Sequence, residues 1–406
     1  MSISQNFPNT RPSLNLNFAR SKTLDPRITF SRPQTGNGVT YVGEDGLIKY
    51  VSADEPRFDH DPETGECLGL LVEEQRSNLL TYSEDLGQWS LNANVAISTN
   101  NIISPDGTQT ADLITTTASE VGPYITITGQ QNVSHTYSTF IKPGTVNKIR
   151  FRDFDGGSNP GHTISFDFLN NTFYDNSGVT TSGYIPYPNG WYRVWFTFTT
   201  GSYTNLSFNI RPTSLQIGTF YLWGAQVEAG SFPTSYVPRP DTSTATRSPD
   251  SVTMTGDNFS DWYNQSEGTV YSNTFSPVDS ISGIFNHDYT LHDGSSSEVI
   301  RLVSSASYGS SGHNITIADN SSAQFNVSSI GSKSIFNKVA LAYKENDSAV
   351  SANVGLATTD TCTIPTPNIL SLGGSHAVGN TRSTYIRQFI YYPVRLPNST
   401  LQTLTK

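Results

Sequence analysis

Charge is scarce in this 406-residue chain. Asp, Glu, Lys and Arg make up 14% of it, where about 25% is usual for a soluble domain. Apolar residues are also thin, at 35% against roughly 45–50% when glycine is counted with them. Basic residues are the scarcer sign, 24 Lys and Arg to 34 Asp and Glu, for a net charge of −10. Nonspecific nucleic-acid binding requires a cationic surface, so that function class is excluded. No stretch reaches the ~18 apolar residues of a membrane span. The opening, Met1 to Pro8, has neither the basic start nor the apolar run of a secretory signal. Cys67 and Cys362 are far apart and fall in different expected domains, so no disulfide is expected and maturation in a reducing cytoplasm is.

Catalytic motifs are missing too. There is no Gly-X-Ser-X-Gly elbow and no His-Glu-X-X-His. His287 and His292 are five apart in a strand-like run, a spacing that sends them to opposite faces and argues against a shared metal. Asp59, Asp61 and Glu63 alternate like the start of a calcium loop, but the glycine comes at the seventh position and Leu70 stands where the closing acid belongs. A structural turn is the better reading. Asp153 and Asp155 would lie on one strand face at about glycosidase spacing, yet Asp155-Gly156-Gly157 reads first as a turn. No enzyme is expected.

Aromatics are plentiful, with 20 Tyr and 21 Phe, which excludes a disordered chain. Short alternating runs recur between turn signals, the pattern of an all-β protein built of sandwiches. Leu14, Leu16 and Phe18 alternate. From 76 to 240 candidate strands include Ala111–Ile114, Tyr124–Ile127, Tyr137–Ile141, Lys148–Phe154, Thr163–Phe168, Tyr192–Thr199, Leu206–Ile210 and Phe220–Val227. The three prolines between 238 and 249 mark a break. The expected division is a β-rich opening region 1–75, a first sandwich 76–240, a linker 241–250 and a second sandwich 251–406. Only Ser399–Leu404 suggests a helical turn, and no repeat of 20–50 residues is visible.

Several segments resemble a known family. Leu14–Arg20, Tyr41–Ile48, Glu55–Asp59 with Asp61–Gly65, and Gly69-Leu-Leu-Val-Glu-Glu-Gln-Arg-Ser-Asn-Leu-Leu-Thr-Tyr-Ser-Glu84 are similar to the openings of tailed-bacteriophage fibre and appendage proteins. Tyr137–Lys142, Gly190-Trp-Tyr-Arg193 and Tyr221-Leu-Trp-Gly-Ala-Gln-Val-Glu-Ala-Gly-Ser-Phe-Pro-Thr-Ser-Tyr-Val-Pro238 resemble carbohydrate-binding-module-like jelly rolls in such virion proteins. Lys338–Tyr343, Leu370–Gly374 and Tyr385–Tyr392 resemble concanavalin/laminin-G-like sandwiches. The resemblance implies a virion structural protein, a fibre or spike on head or tail. It would dock to other virion proteins through residues 1–75 and assemble as a symmetric homo-oligomer, often a trimer. Modules of this kind often carry a structural calcium, for which Glu84 and Glu228 could supply carboxylates.

The strongest candidate site is a glycan-binding face. In 191–199, Tyr192, Val194, Phe196 and Phe198 form the core side, and Trp191, Arg193 and Trp195 face the other way. Asn209 and Arg211 likewise turn away from Leu206, Phe208 and Ile210. Flat aromatics beside guanidinium groups suit host surface polysaccharide. Lys148, Arg150 and Arg152 align on one face and would suit an acidic polymer. The competing reading is that Trp191 and Arg193 pack a surface between domains or subunits. A purely structural capsid decoration and a depolymerase with a site shared between subunits are the alternatives.

Overall fold

Alternating apolar and polar residues lay two six-stranded antiparallel sheets face to face between residues 90 and 229. The computed structural model describes residues 10–406 except 34–37, 155–160, 277–284, 306, 308–311, 332–335, 354, 356–357 and 378–381. One sheet runs 179–187, 191–199, 134–143, 218–229, 111–116, 95–102 and is called the joint sheet. The other runs 172–177, 163–167, 148–154, 205–212, 123–128, 90–91 and is called the basic sheet. Tyr137, Phe151, Phe166, Phe196, Phe198 and Phe208 fill the space between them. All eight strands expected in this region form. The structure adds the largely exposed strands 95–102 and 172–177, whose mostly polar sequences carry little apolar alternation.

The second sandwich pairs a seven-stranded and an eight-stranded sheet, so the protein is all-β with two tandem sandwiches. The opening region 1–75, expected as a separate β-rich attachment region, contributes strands to the second sandwich in its described part. Strand Leu14–Asn17 pairs with Gln388–Tyr391, Cys67–Val72 pairs with Thr384–Ile386, and Thr29–Ser31 pairs with Ser251–Thr253. Leu14, Leu16, Phe18, Leu70 and Val72 are buried in the core of that sandwich. From strand Leu14–Asn17 onward the described chain therefore runs in the second sandwich, crosses to the first and returns. Cys67 and Cys362 consequently sit in one sandwich, both as free thiols. The expected linker 241–250 is also built in: Ala245–Arg247 pairs with Arg76–Asn78. The late helix spans Asn398–Leu404, one residue longer than expected.

One expectation in the second sandwich is overturned. The register of strand Asn286–His292 shifts between His287 and Tyr289, a bulge that absorbs one residue. Asp288 turns inward, where Ser276 Oγ donates to it at 2.6 Å. His287 returns to the side of Thr290 and His292, with its Nδ1 3.2 Å from Thr290 Oγ1. The two histidines thus share a face. Burial, with Arg301 and His376 adding to it, pushes His287 down to about 3. Burial beside His376 pushes His292 down to about 4.

The two sandwiches are tied by buried charge. Arg57 donates to Glu73 at 2.5 Å and to Asp250 at 2.6 Å. Arg32 reaches the other oxygen of Asp250 at 3.0 Å, and Arg247 reaches Glu73 at 3.1 Å. Ser235 of the first sandwich donates its N–H and hydroxyl to Glu73 at 2.8 and 2.6 Å. All five charged side chains are at most 3% exposed. Burial alone would raise the Glu73 carboxyl, but Arg247 and Arg57 outweigh it and hold the group at about 2.

Removing one partner from such a cluster strands the others without water or counter-charge, which costs about 3–5 kcal/mol. Asp250→Ala is therefore expected to lose stability of that order in urea unfolding; a loss under about 1 kcal/mol would mean the cluster contributes little. The histidines set a pH dependence. Unfolded, each titrates near 6.5, so between that pH and about 4 the unfolded chain holds more protons and stability falls as pH drops. The melting temperature of the double variant His287→Gln/His292→Gln should decline less from pH 7 to pH 4.5 than that of the parent. Parallel declines would refute the assignment.

Candidate functional site

The five residues expected to form one face are divided by the sandwich. Trp191, Arg193 and Trp195 lie on the outer side of the joint sheet; Asn209 and Arg211 lie on the outer side of the basic sheet. The two sides point away from each other across the core, so no single ligand spans them.

On the joint sheet most of the outward side is covered. Trp191 is 1% exposed, and its Nε1 donates to Ile103 O at 3.1 Å. It packs with Phe140, Trp223 and Tyr236 against Val42 and Ile48 of the hairpin Val39–Val51. Gly46 makes that hairpin turn at φ +74, and a Cβ there would come within 2.5 Å of Pro62 O. Arg193 lies over the Phe140 ring and donates to Ser138 Oγ at 3.1 Å and Thr234 O at 2.7 Å. These two residues pack the surface between modules. Trp195 is different. It is half-buried, lies against Gly183, where a Cβ would meet its ring at 2.5 Å, and lines a cleft of ≈ 560 Å³ between the modules. Asp59, His60, Phe232 and Tyr385 line the same cleft. Sequence reasoning missed these because they come from segments far apart in the chain.

On the basic sheet the outward side chains Lys148, Arg150, Arg152, Asn209 and Arg211 are half-buried. Among the described residues no hydrophobic cluster joins it to the other sandwich. Arg150 stands directly opposite Arg211, and Arg152 opposite Asn209, which in turn faces Tyr124. Three guanidinium groups thus adjoin across two strands. Arg150 holds Glu120 at 2.6 Å and Asp175 at 2.9 Å. Lys148 holds Asp167 at 3.2 Å and lies 5.8 Å from the Tyr174 ring centre. Arg211 donates to Glu120 O at 3.0 Å, and its Nε has no hydrogen-bond partner. Burial lowers the pKa of Arg211; Glu120 opposes the shift, and the neighbouring Arg152 and Arg150 add to it. Asn209 is fixed by Pro123 O at 3.0 Å, leaving its Oδ1 without a partner. Such a surface can accept anions and hydroxyls together.

The remaining candidates have structural partners. Asp153 accepts from the backbone N–H of His162 and lies 3.0 Å from its Nδ1; Asp155 lies outside the described residues. Asp61 Oδ1 accepts from Glu63 N, Thr64 N and Thr64 Oγ1, which makes the turn suggested by its spacing. Glu228 is fully buried and accepts from Thr234 N, Thr234 Oγ1 and Gln226 Nε2. Its oxygens are occupied by protein donors, so it does not fit the calcium role. Glu84 accepts from the Tyr236 hydroxyl at 2.9 Å. Among the described residues no group of three or more His, Cys, Asp or Glu is placed to hold a metal ion.

No protein family matches this chain, and no curated protein is similar to it in sequence. Solved structures overlap with it loosely. A sialyllactose-bound carbohydrate-binding module of family 40 from the Ruminococcus gnavus IT-sialidase is 15% identical with a TM-score of 0.30, over 35% of this chain and 84% of that one. The tandem family 22 modules of Paenibacillus barcinonensis Xyn10C are 9% identical with a TM-score of 0.28, over 79% of this chain and 98% of that one. Trypanosoma rangeli sialidase is 11% identical with a TM-score of 0.28, over 60% of this chain and 48% of that one. The chain is similar in architecture to these proteins, and overlaps this loose carry no argument about ligand or activity.

Proposed function

We propose that this protein is a non-enzymatic glycan-binding component of a tailed-phage virion, a fibre or spike that holds acidic surface polysaccharide on its basic sheet. The observation that carries the binding reading is the row Arg150–Arg211 with Arg152 and Asn209, half-buried on the outer side of the sheet in a chain of net charge −10. Glu120 and Asp175 offset the charge of Arg150, and an anionic sugar would add bidentate acceptors to the guanidinium groups beside it. Tyr124 and Tyr174, both half-buried on the same side, add flat apolar area for sugar ring faces. The virion setting rests on the sequence likeness of 69–84 and 221–238 to appendage proteins. It includes docking to other virion proteins through the N-terminal region and assembly as a homotrimer or another symmetric oligomer. Many weak sites on one particle would then act together.

The test is retention of the purified chain on polygalacturonic acid, with dextran as the uncharged control and reducing ends followed in the same samples. Retention on the polyuronate alone, weakened as salt rises, is expected. Each charged hydrogen bond contributes about 1.5–3 kcal/mol, so Arg211→Ala should weaken retention by roughly tenfold or more. Release of new reducing ends would overturn the non-enzymatic reading. Equal retention of the parent and of Arg150→Ala/Arg211→Ala would overturn the site. No retention of the folded oligomer would favour a purely structural decoration protein.

A further inference from the structure

We propose that the hairpin Val39–Val51 is a pH-sensitive strap across the joint, held through Asp59 more firmly in mild acid than at neutral pH. This is independent of the glycan and virion readings. The hairpin touches both sandwiches. On one side Val42 and Ile48 pack with Trp191, Trp223 and Tyr236 of the first sandwich, and Thr40 Oγ1 donates to Tyr236 O at 2.6 Å. On the other side it meets strand Arg57–His60, which belongs to the second sandwich. There Val42 N donates to Asp59 Oδ1 at 2.5 Å, and Val42 O lies 3.0 Å from His60 Nδ1.

Asp59 differs from the other buried carboxylates of the joint in lacking a cation. Glu73 and Asp250 are clasped by Arg32, Arg57 and Arg247, Glu74 by Arg76 and Arg382, and Glu228 by Arg76. Asp59 is 6% exposed, and among the described residues no cation forms an ion pair with it. A carboxyl taken out of water without a counter-charge is costly as an anion and tolerated as an acid. Its contact with the hairpin is therefore strengthened by a proton.

The ionisable groups around Asp59 do not reverse this. Burial raises its carboxyl and Glu73 adds to the rise; Val42 N–H, Arg57 and the Tyr385 hydroxyl oppose it, and the group is pushed up to about 6. Tyr385 and, from the first sandwich, Tyr187 are neutral phenols, raised by burial. Cys67 on the neighbouring strand is a thiol, raised likewise. Asp61 and Arg193 line the same cleft. Released from the joint, the Asp59 carboxyl titrates near 3.9. Between about 4 and 6 the seated hairpin holds a proton that the released one lacks, so seating weakens as pH rises through that range. The direction is opposite to that set by His287 and His292, so a local measurement separates the two effects.

Hydrogen exchange of the hairpin amides in the full chain, corrected for the intrinsic pH dependence of exchange, supplies that measurement. In the parent, protection of Thr40, Tyr41 and Val42 should be roughly tenfold greater at pH 5 than at pH 7.5. Asp59→Asn cannot ionise and should show equal protection at the two values. His60→Gln should keep the dependence of the parent. Unchanged exchange in strand Gly218–Ala229 would show that each variant folds, and the parent result stands without either. Equal protection of the parent at both pH values would refute the strap. So would a tenfold change that survives in Asp59→Asn, or one lost in a folded His60→Gln.

Discussion

The structure depends on a buried knot of charge in which Arg57 and Arg32 clasp Asp250 while Arg57 and Arg247 clasp Glu73. Its members come from the opening segment, the return from the first sandwich and the start of the second. Buried ion pairs add little net stability, but breaking one is expensive. A cluster of this kind therefore acts by selecting one arrangement of modules. Ser235 ties the loop after strand Gly218–Ala229 to Glu73, and Arg382 reaches Glu74 at 2.7 Å from the far side.

That arrangement bears on the proposed virion setting, which rests on runs of sequence. The two runs that carry it most clearly, 69–84 and 221–238, meet each other. Asn78 donates to Ala225 O and Val237 O and accepts from Val227 N. Ser83 bonds the Tyr236 hydroxyl at 2.7 Å. The residues that look like a family signature are therefore largely the joint.

The joint also decides which surfaces remain for ligands. Covering the outer side of the joint sheet removes Trp191 and Arg193 from solvent and leaves Trp195 at the edge of a cleft. The basic sheet keeps its outward side. The arginines of the basic sheet and the cleft beside Trp195 therefore lie on opposite sides of the first sandwich.

Much of the fold was legible in the sequence, because strand alternation is a local property. Tyr192, Val194, Phe196 and Phe198 pack inward, or against the core, as their period of two requires. For the same reason Arg150 and Arg152 share an outward side. Strand patterning also identified the outward sides of 191–199 and 205–212, but it cannot say that they belong to opposite sheets, because pairing joins residues remote in the chain. Nor can it show a bulge, and one extra residue at Asp288 was enough to reverse the expected facing of His287 and His292. The composition and spacing of the chain determined an all-β protein with aromatic cores and polar surfaces. Only the tertiary structure decided which outward residues stay exposed, since exposure depends on what the rest of the chain lays over them.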